Sequence, residues 1–360
     1  MCTSLLYFDQ QAAPYAGRTL ELPFDMPYIV VYQPKGTAFS SQANQHAALS
    51  FTAKFGFLSV SIPNGSVDDL KTVEGINSQG LTFSLLAFAT TKGPDDTLDN
   101  STAVLAAIDL GNWVLSQFES VADVKKALAN QPVLTTAIEQ MGGAETPFHY
   151  TVHDATGASI VIEYAHGKQQ VYDNPVGVMT NGPDFPWHLT NLSNYTFLSN
   201  IDQSSLTLNG QTFQQPDSGI ATAALPSSNT AVGRFVRAVY YAHFSEKAKD
   251  ANTAVTTLAH IMNNFDRPRG ITIDPQSANK GADAMAPDVM GFAGYSSEYT
   301  TWTSLTDLRQ GRMYLRTYDQ LNYVQFDLPT LLQSSQRMLL PLAKFQSSSL
   351  DGTALLQKTA

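Results

Sequence analysis

The only cysteine in this 360-residue chain stands at position 2, in MCTSLLYF. A lone cysteine cannot close an intramolecular disulfide, so its place calls for a chemical reason or for chance. Once Met1 is trimmed, Cys2 carries a thiol and a free α-amine on one residue, which is a nucleophile with its own base. The thiolate is the attacking form, and a free thiol with a pKa of about 8.5 is mostly protonated at neutral pH. An α-amine, with a pKa of about 7.7 to 8, is the one base certain to lie beside it. Downstream, GRTLE places Arg18 and Glu21 three apart after a turn at PYAG. Paired as a hairpin, TSLLYF and RTLEL would return both residues toward the start of the first strand. There a guanidinium favours the thiolate and a carboxylate holds the amine. The same residues also have an ordinary reading: a cysteine in an apolar strand packs in a core, and an Arg and Glu three apart make a solvated pair. The residues alone leave both readings open.

The elements that must position these groups alternate between strand and helix patterns. TSLLYF, YIVVYQP and KFGFLSVSIPNG read as strands, and VEGINSQGLTFSLLAFA as a hairpin closed at NSQG. Residues 103–141 take helical spacing, with Ser120 the N-cap of the second helix there. Residues 148–180 return to a β-meander. A polar, Gln-rich loop covers 202–218. Two amphipathic helices, TAVGRFVRAVYYAHFSEKA and ANTAVTTLAHIMNNF, precede strands in EYTTWTSLTD, RMYLRTYDQ and NYVQFDL. This order predicts an α+β fold of two antiparallel sheets with helices outside, as one domain over 2–345 followed by a tail at 346–360.

Composition narrows the function. Lys+Arg 21 against Asp+Glu 31 gives a net charge of −10, and no basic cluster occurs, which argues against nucleic acid and anionic membranes as partners. Charged residues make up only 14% of the chain and hydrophobic ones 43%, so a large core is expected. There is no apolar run of 18 residues and no basic-then-apolar leader, so the chain as written reads as cytoplasmic. If Met1 replaces a removed signal peptide, it reads as periplasmic. The histidines His46, His149, His153, His166, His243 and His260 show no spacing that converges with carboxylates, and neither a metal nor a cofactor is expected.

The blocks MCTSLLYF, GRTLE, VEGINSQGL, NPVGVMTNGPDFPWHLTNLSNY, LPSSNTAVGRF and YLRTYDQ, in this order from residue 2 to about 320, resemble the choloylglycine hydrolase family of penicillin V acylases and conjugated bile salt hydrolases. The resemblance implies an N-terminal nucleophile hydrolase with a four-layer αββα sandwich, cleaving a linear, non-peptide amide. It implies Cys2 as nucleophile, Arg18 beside it, Asn181 as the side-chain donor of the oxyanion hole and Arg234 as the organising arginine. It also implies the Ala87 backbone N–H as second oxyanion donor, and a homotetramer. Taken singly, Asn181 in TNGP reads as a turn residue, Arg234 as cover for apolar surface, and Trp187 and His188 as packing.

Two positions depart from the family pattern. Glu21 stands where the family has Asp. Ala87 stands where bile salt hydrolases carry Asn, some penicillin acylases Tyr and some Gram-negative relatives Trp. Aromatic segments at 24–28 and 88–94, with Phe185, are expected to line an apolar acyl pocket. The expected substrates are penicillin V and N-acyl homoserine lactones, with conjugated bile salts as the alternative. A member that keeps the fold as a binding protein, without strong chemistry, is the reading from another class.

Overall fold

The computed structural model describes residues 1–138, 143–275 and 295–345; the expected tail at 346–360 lies outside them. Two antiparallel sheets dominate. The six-stranded sheet runs, edge to edge, through Val178–Met179, β1 (Cys2–Phe8), β2 (Pro14–Leu22), Tyr299–Asp307, Arg312–Thr317 and Val324–Asp327. The eight-stranded sheet runs through Lys168–Asp173, Ser159–Ala165, Phe148–His153, Thr82–Ala87, Ser66–Asn77, Phe57–Asn64, Ile29–Gln33 and Met338–Pro341. Helices α1 (Leu110–Gln117) and α2 (Val121–Leu128) cover the eight-stranded sheet. A short helix α3 (Phe185–Asn191) follows the edge strand of the other sheet, whose outer face is covered by α4 (Ala231–Phe244) and α5 (Ala251–Asn263). The layers are therefore αββα, as expected.

The β1–β2 hairpin forms with Ser4 opposite Arg18 and Cys2 opposite Leu20. Because side chains alternate across a strand, this register sends Cys2 and Arg18 to the face shared with the second sheet. Thr3 and Thr19 go to the helix face. The NSQG turn also forms: Gly80 takes φ +76°, and the buried Asn77 carboxamide accepts from the Gln79 and Leu81 N–H groups while donating to the Leu115 and Phe118 carbonyls. Ser120 caps α2 by accepting from the Asp123 N–H.

Two segments differ from the sequence reading. Ala103–Ala106 is a strand, pairing in parallel with Ala47–Thr52 and Val133–Leu134, and the helix starts only at Leu110. A run as short and apolar as AVLA carries no period of its own, so neighbouring strands decided its state. Residues 202–218 are not a plain loop, because Ser205–Leu208 and Gln211–Gln214 pair as a hairpin across Asn209–Gly210, both at positive φ. Asn-Gly favours this type I′ turn; polarity masked the signal.

Gly75, inside the strand Ser66–Asn77, lets the chain approach its neighbours closely. A Cβ there would lie 2.7 Å from the Leu58 carbonyl oxygen and 2.6 Å from Leu115 Cδ1. The backbone oxygen cannot yield as a side chain can. Gly75→Ala is expected to cost about 1–3 kcal/mol, read as a lower urea midpoint at unchanged m-value; a midpoint equal to the parent's would refute the close approach.

Candidate active site

The site lies where the start of β1 passes the end of the strand Thr82–Ala87. On the inter-sheet face, the buried Arg18 guanidinium donates through Nη2 to Cys2 Sγ at 3.7 Å and to the Leu85 carbonyl at 2.5 Å. Its centre stacks 4.5 Å from the Trp302 ring, and its Nε lies 3.7 Å from Glu74 Oε2. A positive charge is thus fixed against the sulfur. Glu74 is wholly buried, and that desolvation, opposed by Arg18, pushes its carboxyl up to about 7.

Asn181 follows the edge strand Val178–Met179. Its Oδ1 accepts from the Cys2 nitrogen at 3.0 Å and from Arg234 Nη2 at 2.7 Å. These two donors fix the orientation of the amide, so Nδ2 faces the opposite way and donates to the Ala87 carbonyl at 2.7 Å. One N–H of this Nδ2 is left for a ligand. The ladder sets the direction of Ala87. Phe88 donates to the Pro147 carbonyl at 2.8 Å, so in this antiparallel pair Phe88 and Leu86 turn their backbone groups toward Phe148–His153, and Ala87 and Leu85 turn theirs away. The Leu85 and Ala87 carbonyls meet Arg18 and Asn181 on that side, and the Ala87 N–H points with them.

Arg234 occupies the first turns of α4, whose N-cap Thr230 accepts from the Gly233 N–H. The guanidinium reaches through the helix face of the sheet. Nη1 donates to the Cys2 carbonyl and, at 2.7 Å, to Thr3 Oγ1, while Nε donates to the Asn229 carbonyl at 3.0 Å. Burial lowers its pKa from the usual arginine value, against the opposing pull of Glu21.

Glu21 sits past a β-bulge between Leu20 and Glu21. Its N–H donates to the Met1 carbonyl, and its carbonyl accepts from the Met1 amine, both at 2.8 Å. The carboxyl is buried. Oε1 accepts from Thr300 Oγ1 at 3.2 Å, and desolvation raises its pKa, opposed first by Arg234. The Met1 amine also meets Glu298 Oε1 at 3.1 Å. With Met1 attached, the Cys2 nitrogen is a peptide N–H and lies on Asn181 rather than on Glu21.

Cys2, Arg18, Asn181, Arg234 and the Ala87 backbone are therefore brought together from both sheets and a helix, with Glu21 one position beyond Leu20, the residue opposite Cys2. Residues 2–282 match the family described as linear amide C–N hydrolases, choloylglycine hydrolase family. The chain belongs to that family. A conjugated bile acid hydrolase from Lactobacillus acidophilus is 30% identical over 280 residues, 78% of this chain and 86% of its own. A penicillin V acylase from Pectobacterium atrosepticum is 28% identical over 67% of this chain and 59% of its own. The crystal structure of the C2A mutant of the conjugated bile acid hydrolase from Clostridium perfringens superposes with a TM-score of 0.78 at 24% identity, covering 98% of this chain and 99% of that one. As members of the choloylglycine hydrolase family act on linear amide C–N bonds, this chain is a hydrolase of that class.

Three aromatic expectations change. Phe185, 1% exposed, is buried between Tyr172 of the eight-stranded sheet and Phe235 of α4 and offers almost no surface to a ligand. Trp187, expected to pack, is 45% exposed. His188 is buried and does more than pack: its Nε2 donates to the Asn181 carbonyl at 2.9 Å, and burial lowers its pKa. Its ring stacks on Phe235. Glu74 carried no role in the sequence reading, although a lone carboxylate inside the apolar run of VEGIN was a visible signal for a buried partner.

Because the folded-state pKa of Glu74 is raised above its ordinary value near 4.5, its contribution to stability is present below that value and is lost as pH rises toward about 7. Glu74→Gln removes this dependence and keeps an acceptor for Arg18. The thermal midpoint of the variant should therefore gain on the parent's between about pH 4.5 and pH 8; parallel profiles would exclude a raised Glu74.

Proposed function

We propose that the chain cleaves an N-acylated small molecule through Cys2, after removal of Met1, and that its acyl preference lies with the acylases of the family. The observation that carries the chemistry is the double use of Asn181: Oδ1 holds the Cys2 nitrogen, and Nδ2, beside the Ala87 N–H, faces where an oxyanion would form. With Met1 gone, the Cys2 nitrogen becomes an amine able to take the thiol proton. Sγ then attacks the amide carbonyl, and the new oxyanion accepts from Asn181 Nδ2 and the Ala87 N–H. As the C–N bond breaks, the ammonium returns its proton to the leaving nitrogen. Water, deprotonated by the same amine, hydrolyses the thioester and releases the acid. Arg18 stabilises the thiolate. Glu21 orients the amine.

Ala87 carries the substrate reading. A methyl group where bile salt hydrolases present Asn offers no hydrogen bond to a steroid hydroxyl, and it leaves room for a phenoxyacetyl or fatty acyl group. Bile salts are the second reading, favoured by the 30% identity to a conjugated bile acid hydrolase. The exposed Leu206, Leu208 and Phe213 on the hairpin near 205–214 support burial in a homo-oligomer, for which a tetramer is our proposal. No helix among the described residues is long and apolar enough to cross a membrane.

The test is amine release from penicillin V, N-decanoyl homoserine lactone and glycocholate by protein whose loss of Met1 is confirmed by mass. Cleavage of either of the first two, with glycocholate untouched, is expected. Preference for glycocholate would overturn the acyl assignment, and silence on all three with a reactive Cys2 would favour a binding role. Cys2→Ala should abolish turnover, and Asn181→Ala should lower kcat by about 100- to 1000-fold.

A further inference from the structure

Behind the oxyanion donor lies a buried polar cluster that the mechanism does not use. His149, on the strand Phe148–His153, has both ring nitrogens on oxygen. Nε2 lies 3.0 Å from the Thr180 carbonyl and Nδ1 lies 3.0 Å from Glu163 Oε1. A carbonyl can only accept, so Nε2 carries a proton. Between Nδ1 and the carboxyl a second proton must lie, since two bare lone pairs would repel at that distance. Glu163 is fully buried on the neighbouring strand Ser159–Ala165, and both its oxygens also accept from the Phe185 N–H, at 3.0 and 3.1 Å. Phe185 opens helix α3, and that helix carries His188, whose Nε2–H holds the Asn181 carbonyl. The His149 ring stacks on Phe88, 4.7 Å away and within 7° of parallel, so it has little room to turn.

One carboxylate therefore governs both sides of Asn181. Through His149 it fixes the carbonyl of Thr180, the residue before. Through the start of α3 it fixes the histidine that grips the carbonyl of Asn181 itself. We infer that Glu163 is a positioning residue for the oxyanion hole, acting through His149 and helix α3 to hold the Asn181 side chain between the Cys2 nitrogen and Ala87. This rests on the proposed oxyanion role of Asn181. Geometry of this kind has leverage, because misplacing a catalytic group by about 1 Å can cost about 100-fold. Two histidines and a glutamate in a linear-amide hydrolase invite assignment as a catalytic triad. Here they face the backbone behind Asn181: His149 Nε2 and His188 Nε2 bond the Thr180 and Asn181 carbonyls, and the Glu163 carboxyl takes the Phe185 N–H.

Two reactions of Cys2 separate positioning from general damage. Alkylation by iodoacetamide displaces iodide at carbon and forms no oxyanion. Acylation by p-nitrophenyl acetate passes through a tetrahedral oxyanion and is read as a burst of p-nitrophenolate, whatever the natural acyl group. The full chain, with Met1 removed, is compared with Glu163→Gln, His149→Phe and Asn181→Ala. His149→Phe preserves the stack on Phe88 and serves if Glu163→Gln does not fold. The acylation rate is expected to fall about tenfold or more in all three, while Glu163→Gln and His149→Phe keep alkylation within about twofold of the parent. A Glu163→Gln or His149→Phe protein that keeps the parent's ratio of acylation to alkylation, while Asn181→Ala loses it, overturns the inference alone. An unchanged ratio in Asn181→Ala overturns the oxyanion role of Asn181 and the inference with it.

Discussion

A guanidinium buried away from water must find an acceptor for each of its protons or pay heavily in desolvation. Arg234 meets that demand for four of its five N–H groups, with the Cys2 carbonyl, Thr3 Oγ1, Asn181 Oδ1 and the Asn229 carbonyl. These acceptors belong to β1, to the loop after the edge strand and to the approach to α4, so satisfying one cation ties three remote stretches of chain into a single arrangement. The placement of Asn181 follows from it, and so does the direction of the amide that faces Ala87.

The inter-sheet face repeats the solution with different means. Arg18 has fewer acceptors: Nη2 donates to Cys2 Sγ and the Leu85 carbonyl, Nε faces Glu74 at 3.7 Å, and the guanidinium lies over the Trp302 ring. β1 is therefore gripped on both faces by buried cations, one reaching its sulfur and the other its carbonyl. Neither grip would exist without the hairpin register that sends Cys2 and Thr3 to opposite sides of the sheet.

Much of this was legible in the residues. The hairpin could be read because TSLLYF and GRTLEL flank a turn, and the αββα order because strand and helix patterns alternate along the chain. The roles of Asn181 and Arg234 could not be read from spacing: TNGP looks like a turn and VGRF like a helix face, and only the resemblance singled them out. Position in three dimensions was the missing quantity. His149 and Glu163 are fourteen residues apart on paired strands, so no linear motif brings them together, and His188 is far from both in sequence while sharing their task. Ala103–Ala106 and the hairpin near 205–214 failed for the opposite reason, because local patterns were too short or too polar to override tertiary pairing.

The way Ala87 enters the site has an evolutionary consequence. What it presents there is its own backbone N–H and carbonyl, aimed by the phase of a ladder whose other members fix it. Any residue except proline would present the same N–H. Its methyl group, by contrast, is only partly buried and binds nothing in the site. In the proposed mechanism the position is thus modular: a lineage, or an engineer, could exchange the side chain at 87 to recruit a new acyl group while the electrostatics of bond cleavage stay as they were.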